Sequence, residues 1–231
     1  AISDMVIEEG VKVITTGAGN PGIYIEKWHK AGIIVIPVVP GVALAKRLER
    51  SGADALVVEG TEAGGHIGEL TTFTLVPQVV DAVNIPVVAA GGIADYRGFD
   101  AAIMLGASGV QIGTVLLASE ECPIHINYKN RVVKAKDTDT VVTGRGTRAP
   151  VRVLKNKMSR RYIELQKEQN PDLEEMEQLT LGSLRRAVFD GDMDTGSIMA
   201  GQSAGLVKSV RPCKEILDDI CLKSRVFKDM V

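Results

Sequence analysis

A short β-branched run followed by an amphipathic stretch recurs five times before residue 119, and this repeat constrains the fold more than anything else in the chain. The runs are Val11–Thr16, Ile33–Val39, Ala53–Val58, Ile85–Ala90 and Gly109–Ile112, with starts 22, 20, 32 and 24 residues apart. Gly22–Ala31, Val42–Ser51, Thr72–Val83 and Tyr96–Leu105 have helical spacing of apolar residues. Strands separated by single crossover helices imply a parallel sheet, and nearly continuous apolar strands imply that both faces are covered.

An open doubly wound sheet and a closed barrel both satisfy that pattern. The near-constant period, and the lack of GxGxxG after the first run, favour an α/β fold of the (β/α)₈ TIM-barrel type. Five units are visible, read as β/α units four to eight over residues 1–121. The first three units, roughly 75 residues at this period, are expected to lie ahead of Ala1. A five-stranded open fold is the alternative. Residues 122–231 are expected to form a C-terminal, mostly helical cap that completes the active-site mouth. Within it Cys122–Lys136 reads as helix or loop, Tyr162–Leu179 as acidic helix broken at Asn170-Pro171, and Pro212–Met230 as amphipathic helix.

Hydrophobic residues make up 45% of the 231 and aromatics only 4%, so aliphatic side chains must fill the core. A net charge of −2 argues against nucleic acid as partner, and no apolar run reaches the ~20 residues of a membrane span. Cys122, Cys213 and Cys221 form no CxxC pair and read as free thiols in a reducing compartment, the cytoplasm. Three scattered histidines suggest no metal site.

Two consecutive runs end in glycine motifs, Ala89-Ala90-Gly91-Gly92-Ile93-Ala94 and Gln111-Ile112-Gly113-Thr114. Barrels commonly hold a phosphate between the loops after their last two strands, through backbone amides and a helix N-terminus. Turn glycines are the plainer reading of either motif alone, and the pairing favours phosphate. A second motif, Glu59-Gly60-Thr61-Glu62-Ala63-Gly64-Gly65-His66-Ile67-Gly68, follows the third run, where barrel active sites are built. His66 there can relay a proton near neutral pH, whereas His29 reads as packing or surface and His125 receives no role.

Three further stretches leave alternatives open. Thr16-Gly17-Ala18-Gly19-Asn20-Pro21 either lines the site or turns the chain. Gly196-Ser197-Ile198-Met199-Ala200-Gly201-Gln202-Ser203-Ala204-Gly205 presses against a ligand or against neighbouring backbone. Arg145 to Arg161 holds seven basic residues and no acid, either a solvated face or a docking surface for phosphates or an acidic partner.

Together these motifs resemble the 2-nitropropane dioxygenase / nitronate monooxygenase superfamily of FMN barrels. Thr15-Thr16-Gly17, Ile36-Pro37-Val38-Val39-Pro40, Leu70-Thr71-Thr72 and Met199-Ala200-Gly201-Gln202 look closest to its flavin-dependent enoyl-[acyl-carrier-protein] reductase II branch. The resemblance implies FMN, its phosphate at Gly91, Gly92, Gly113 and Thr114, and flavin contacts at Glu59, Gly64 and Gln111. Gly65, Met199, Gly201 and Gln202 are also assigned to the cofactor, and His66 matches the catalytic histidine. It further implies NADH or NADPH as reductant and reduction of an enoyl thioester in fatty acid synthesis. The carrier protein would dock at Arg145, Arg148, Arg152, Lys155 and Lys157, on a homodimer. Nitronate oxidation by O₂ is the alternative within the family. A flavin-free phosphate-ligand barrel and an inactive truncated module are the alternatives outside it.

Overall fold

The structure is a computed structural model describing residues 2–17, 19–147 and 149–227. Its strands are β1 (Val13–Thr16), β2 (Ile34–Val39), β3 (Leu56–Glu59), β4 (Gly65–His66), β5 (Val87–Ala90), β6 (Gly109–Gln111), β7 (Thr140–Thr143) and β8 (Val151–Leu154). The α-helices are α1 (Ile2–Glu8), α2 (Gly22–Lys30), α3 (Val42–Arg50), α4 (Thr72–Val80) and α5 (Tyr96–Met104), then α6 (Ile126–Val133), α7 (Lys157–Gln166), α8 (Leu173–Thr180), α9 (Ser183–Arg185) and α10 (Cys213–Cys221). Two compact units emerge. One comprises 1–61, 68–90 and 101–111; the other comprises 62–67, 91–100 and 112–231.

The first unit holds a five-stranded sheet in the order β1-β2-β3-β5-β6, and all four pairings are parallel. Its core is aliphatic: Val35, Val39, Leu56, Val58 and Ala89 are fully buried. The helices present matching stripes. Leu75, Val76 and Val79 of α4 are fully buried, at the i, i+1 and i+4 positions of one face. Helix α3 ends at Gly52, whose φ of +95° lets Ala53 N–H reach back to Leu48 O at 3.0 Å. Each expected helix of this region is present, one to three residues shorter at its C-terminal end. The third run begins later than expected, at Leu56, because Ala53 and Asp54 bond within the α3 terminus and to Val35.

The second unit departs further from expectation. A three-stranded antiparallel sheet, β4-β8-β7, runs through residues that the sequence left without an element. Helices α6 to α10 outweigh the strands in residues 122–231, and the unexpected feature is a hairpin of Thr140–Thr143 and Val151–Leu154, to whose edge Gly65-His66 adds. The strands Thr-Val-Val-Thr and Val-Arg-Val-Leu are β-branched, but the charges around them obscured the alternation. Ile198–Met199 continues that edge, through Leu154 N–H to Ile198 O at 2.8 Å.

Helices α7 and α8 are separate, as the Asn170-Pro171 break requires. Asn156 caps α7: its Oδ1 accepts from Ser159 N–H at 2.9 Å while Ser159 Oγ accepts from Asn156 N–H at 3.0 Å. The expected helix over Pro212–Met230 spans only Cys213–Cys221, and residues 228–231 lie outside the described residues. No helix among the described residues is long and apolar enough to cross a membrane.

Candidate functional site

At the carboxyl edge of the parallel sheet, Glu59, Ala90 and Gln111 occupy one register row across three neighbouring strands. A parallel sheet sends every strand end to the same rim, so Glu59 and Ala90, 31 positions apart, and Ala90 and Gln111, 21 apart, become neighbours. Glu59 is half-buried, and desolvation raises its carboxyl above the ordinary 4.5. On β1, Thr16 Oγ1 is fully buried and has no hydrogen-bond partner among the described residues. A buried hydroxyl without a partner carries a desolvation cost that a bound ligand relieves. These edge groups fit a flat, donor- and acceptor-rich ligand. Ala18, in the same loop as Thr16, lies outside the described residues.

Within the second unit four sequence motifs converge. Gly201 N–H donates to Thr114 Oγ1 at 2.9 Å, and Gln202 N–H donates to Glu62 O at 2.9 Å. A Cβ on Gly64 would stand 2.6 Å from the Ala200 carbonyl carbon, and one on Gly201 would stand 2.5 Å from Glu62 O. Both glycines are thus demanded by backbone packed on backbone, which accounts for them without a ligand. Gly92, at φ +80°, faces the Glu62 side chain, with Cβ 3.4 Å from where its own Cβ would be. A Cβ on Gly113 would meet nothing within 4 Å, so open space adjoins that turn. Thr114 accepts one hydrogen bond and keeps its own proton for another acceptor. The turns at 91–92 and 113–114 therefore suit an anion held by amides and a hydroxyl, as an FMN phosphate would be.

His66 pairs with Val151 through the β4–β8 ladder, which fixes the backbone of the loop. Its side chain is exposed and has no hydrogen-bond partner among the described residues. It lines a cavity of about 360 Å³ together with Val151, Met158, Tyr162 and Met199. Met199 is anchored by Tyr128, whose hydroxyl donates to Met199 O at 2.7 Å, and burial pushes that phenol's pKa up. A Cβ on Gly65 would be 3.6 Å from Met199 Sδ.

The expected docking surface needs revision. Arg152 is only 6% exposed and donates to Thr140 Oγ1 at 3.1 Å. Burial and the nearby Arg145 charge lower its pKa, while Glu62 opposes them. Arg152 is therefore an internal cation of the β-sheet and leaves the docking set. Lys157 pairs with Asp194 at 2.6 Å and Lys155 donates to Thr138 O at 2.6 Å, both at the surface. Arg148 lies outside the described residues. His29 pairs with Asp54 at 2.9 Å on the surface, and His125 caps α6 by accepting from Asn127 N–H at 3.1 Å. Sequence reasoning passed over Tyr162, Ser183 and Ser197, which share the His66 cavity. Ser197 sat inside a motif already singled out; nothing in their local sequence marks the other two.

This arrangement agrees with comparisons to known proteins. The chain is 40% identical over 217 residues to a probable nitronate monooxygenase of Staphylococcus saprophyticus, covering 89% of this chain and 61% of that protein. The chain thus spans under two thirds of that relative. FabK from Thermotoga maritima superposes with a TM-score of 0.93 at 50% identity, over 99% of this chain and 71% of that one. A nitroalkane oxidase from Streptomyces ansochromogenes shares the fold, with a TM-score of 0.81 at 24% identity over 99% of this chain and 67% of that one. The family model described as nitronate monooxygenase matches residues 3–223, and the chain belongs to that family.

Proposed function

We propose that this chain carries the catalytic histidine and part of the FMN site of a flavin-dependent reductase of enoyl thioesters on acyl carrier protein. The observation that carries this reading is the His66 imidazole, which has no hydrogen-bond partner among the described residues, in a cavity walled by Val151, Met158 and Met199. Such a cavity accepts an apolar chain and sets one titratable group beside its reactive end. The 50% identity to FabK across 99% of this chain supports the enoyl-reductase branch. In this reading the five parallel units belong to a larger (β/α)₈ barrel.

FMN, when bound, supplies the two-electron chemistry, with NADH or NADPH as the source of reducing equivalents. The protein's part is to bind and to move protons. Amides of Gly91, Gly92 and Gly113 and the Thr114 hydroxyl would hold the FMN phosphate. Glu59 and Gln111, on the rim of the parallel-sheet unit, would be that unit's own contacts to a flavin ring. His66 holds a proton on the nitrogen that faces the cavity and gives it to the α-carbon, or stabilises the thioester oxygen as charge grows there. Arg145, Lys155 and Lys157 are the exposed cations of the expected docking set through which an acidic carrier protein would bind.

His66→Ala tests this directly. The variant keeps its flavin absorbance near about 450 nm and loses roughly 10²–10⁴ in enoyl-dependent NAD(P)H oxidation. Undiminished turnover would remove His66 from the chemistry. A second reading, nitronate oxidation with His66 as base, rests on the relative at 40% identity named probable nitronate monooxygenase. Oxygen uptake with a nitronate, without NAD(P)H oxidation on enoyl thioesters, selects it.

A further inference from the structure

We infer that Tyr162, Ser183 and Ser197 form a hydroxyl subsite in the His66 cavity that binds the planar, oxygen-bearing activating group of the substrate. The inference deepens the function proposed above and rests on it for the identity of the group, an acyl thioester carbonyl. All three residues line the cavity with His66. They are 7%, 4% and 6% exposed. None of the three side-chain hydroxyls has a hydrogen-bond partner among the described residues, where Thr16 Oγ1 is the one side-chain polar atom both sealed and unpaired. The hydroxyls are therefore open to the cavity and unspent.

The scaffold holds them in place. Ser197 N–H donates to Ser183 O at 3.0 Å, which locks the two serines side by side. Asn156 holds the segment just before Ser197, donating to Gly196 O at 2.7 Å. The Tyr162 ring is fixed in an apolar cluster with Leu165 and Met176. Other polar groups on the wall are committed: Thr143 donates to Val151 O at 3.3 Å and Thr180 to Glu177 O at 3.0 Å. Three hydroxyl donors on the wall of the cavity that His66 also lines suit an oxygen acceptor that gains negative charge, because hydrogen bonds to a charged acceptor are the stronger ones. A nitro group offers the same planar oxygens, so the two readings of the enzyme share this chemistry.

The test measures binding by calorimetry on the flavin-loaded protein. The probes are saturated octanoyl-N-acetylcysteamine, its octyl thioether, which lacks the carbonyl, and 1-nitrobutane. Wild type is expected to prefer the thioester over the thioether by about tenfold. Ser183→Ala, Ser197→Ala and Tyr162→Phe should each cut that preference severalfold and leave thioether binding unchanged. Full retention of the preference in all three overturns the subsite. Should either serine variant fail to fold, Tyr162→Phe decides alone, since it removes one oxygen and keeps the ring. Turnover separates the levels. A carbonyl preference without enoyl-thioester turnover upholds the subsite and sinks the reductase; turnover with the preference untouched by the variants does the reverse. Preferential, hydroxyl-dependent binding of 1-nitrobutane assigns the subsite to the nitro group and overturns the thioester assignment.

Discussion

The two compact units are stabilised in different ways. The parallel-sheet unit depends on burial: Val35, Leu48, Leu56, Val58 and Leu75 are fully buried, and its strand pairs follow one register from edge to edge. The other unit depends on close backbone approach and on side chains that satisfy backbone. Gly64 and Gly201 touch facing main chain, and Asn156 bonds Ser159, Met193 and Gly196. Buried Lys129 donates to Ser119 O and Glu120 O at 2.7 and 3.1 Å. Apolar burial is forgiving about identity and sensitive to volume. Backbone contact tolerates no added atom. The region that holds His66 is therefore the one where a single methyl does most local harm.

The comparison is broken or sharpened by substitutions on each side. Leu56→Ala should have the largest effect, a loss of about 2–5 kcal/mol in chemical denaturation, because it empties a fully buried site between parallel strands. Gly64→Ala comes next, at about 1–3 kcal/mol, since Ala200 and Gly201 must shift to admit the methyl. Its signature is local: faster amide exchange in 62–67 and 198–202, with β3 and β5 protected as before. Equal loss of protection in the sheet would erase the distinction between the units.

The smallest effect belongs to Glu59→Gln. Burial raises the folded-state pKa of Glu59, so the fold prefers its neutral form. Both states are protonated at low pH and nothing is lost there. As pH rises through the unfolded value of 4.5 the unfolded chain ionises first, and stability falls until the folded carboxyl also ionises. The Gln variant escapes this fall, and its melting temperature should exceed the wild-type value slightly at neutral pH and match it in acid. A wild type that melts above the Gln variant at neutral pH, with the difference closing in acid, would show instead that a cation holds the carboxylate.

Much of the sheet unit was legible before any coordinates. A period of strand and helix can be read from hydrophobic spacing alone, and Val42–Arg50, Thr72–Val80 and Val87–Ala90 fall inside the ranges so inferred. The glycine motifs were visible too, but their reasons were not. Gly64 reads as a ligand contact in sequence and proves necessary for packing on Ala200. Arg152 reads as surface charge and is buried. The hairpin at 140–154 was hidden because charge interrupts its alternation.

Sequence by itself determined the strand–helix repeat and the parallel pairing of its strands, and picked out Glu59, Gln111 and His66 as candidate site residues. Periodicity and motif are local properties, carried by residues a few positions apart. Tertiary structure alone decided which glycines serve packing, which cation lies inside, and which hydroxyls share the His66 cavity. Those facts depend on atoms brought within a few ångströms by chain segments more than 100 residues apart, such as Gln202 N–H and Glu62 O at 2.9 Å. Nothing in a local pattern records that proximity.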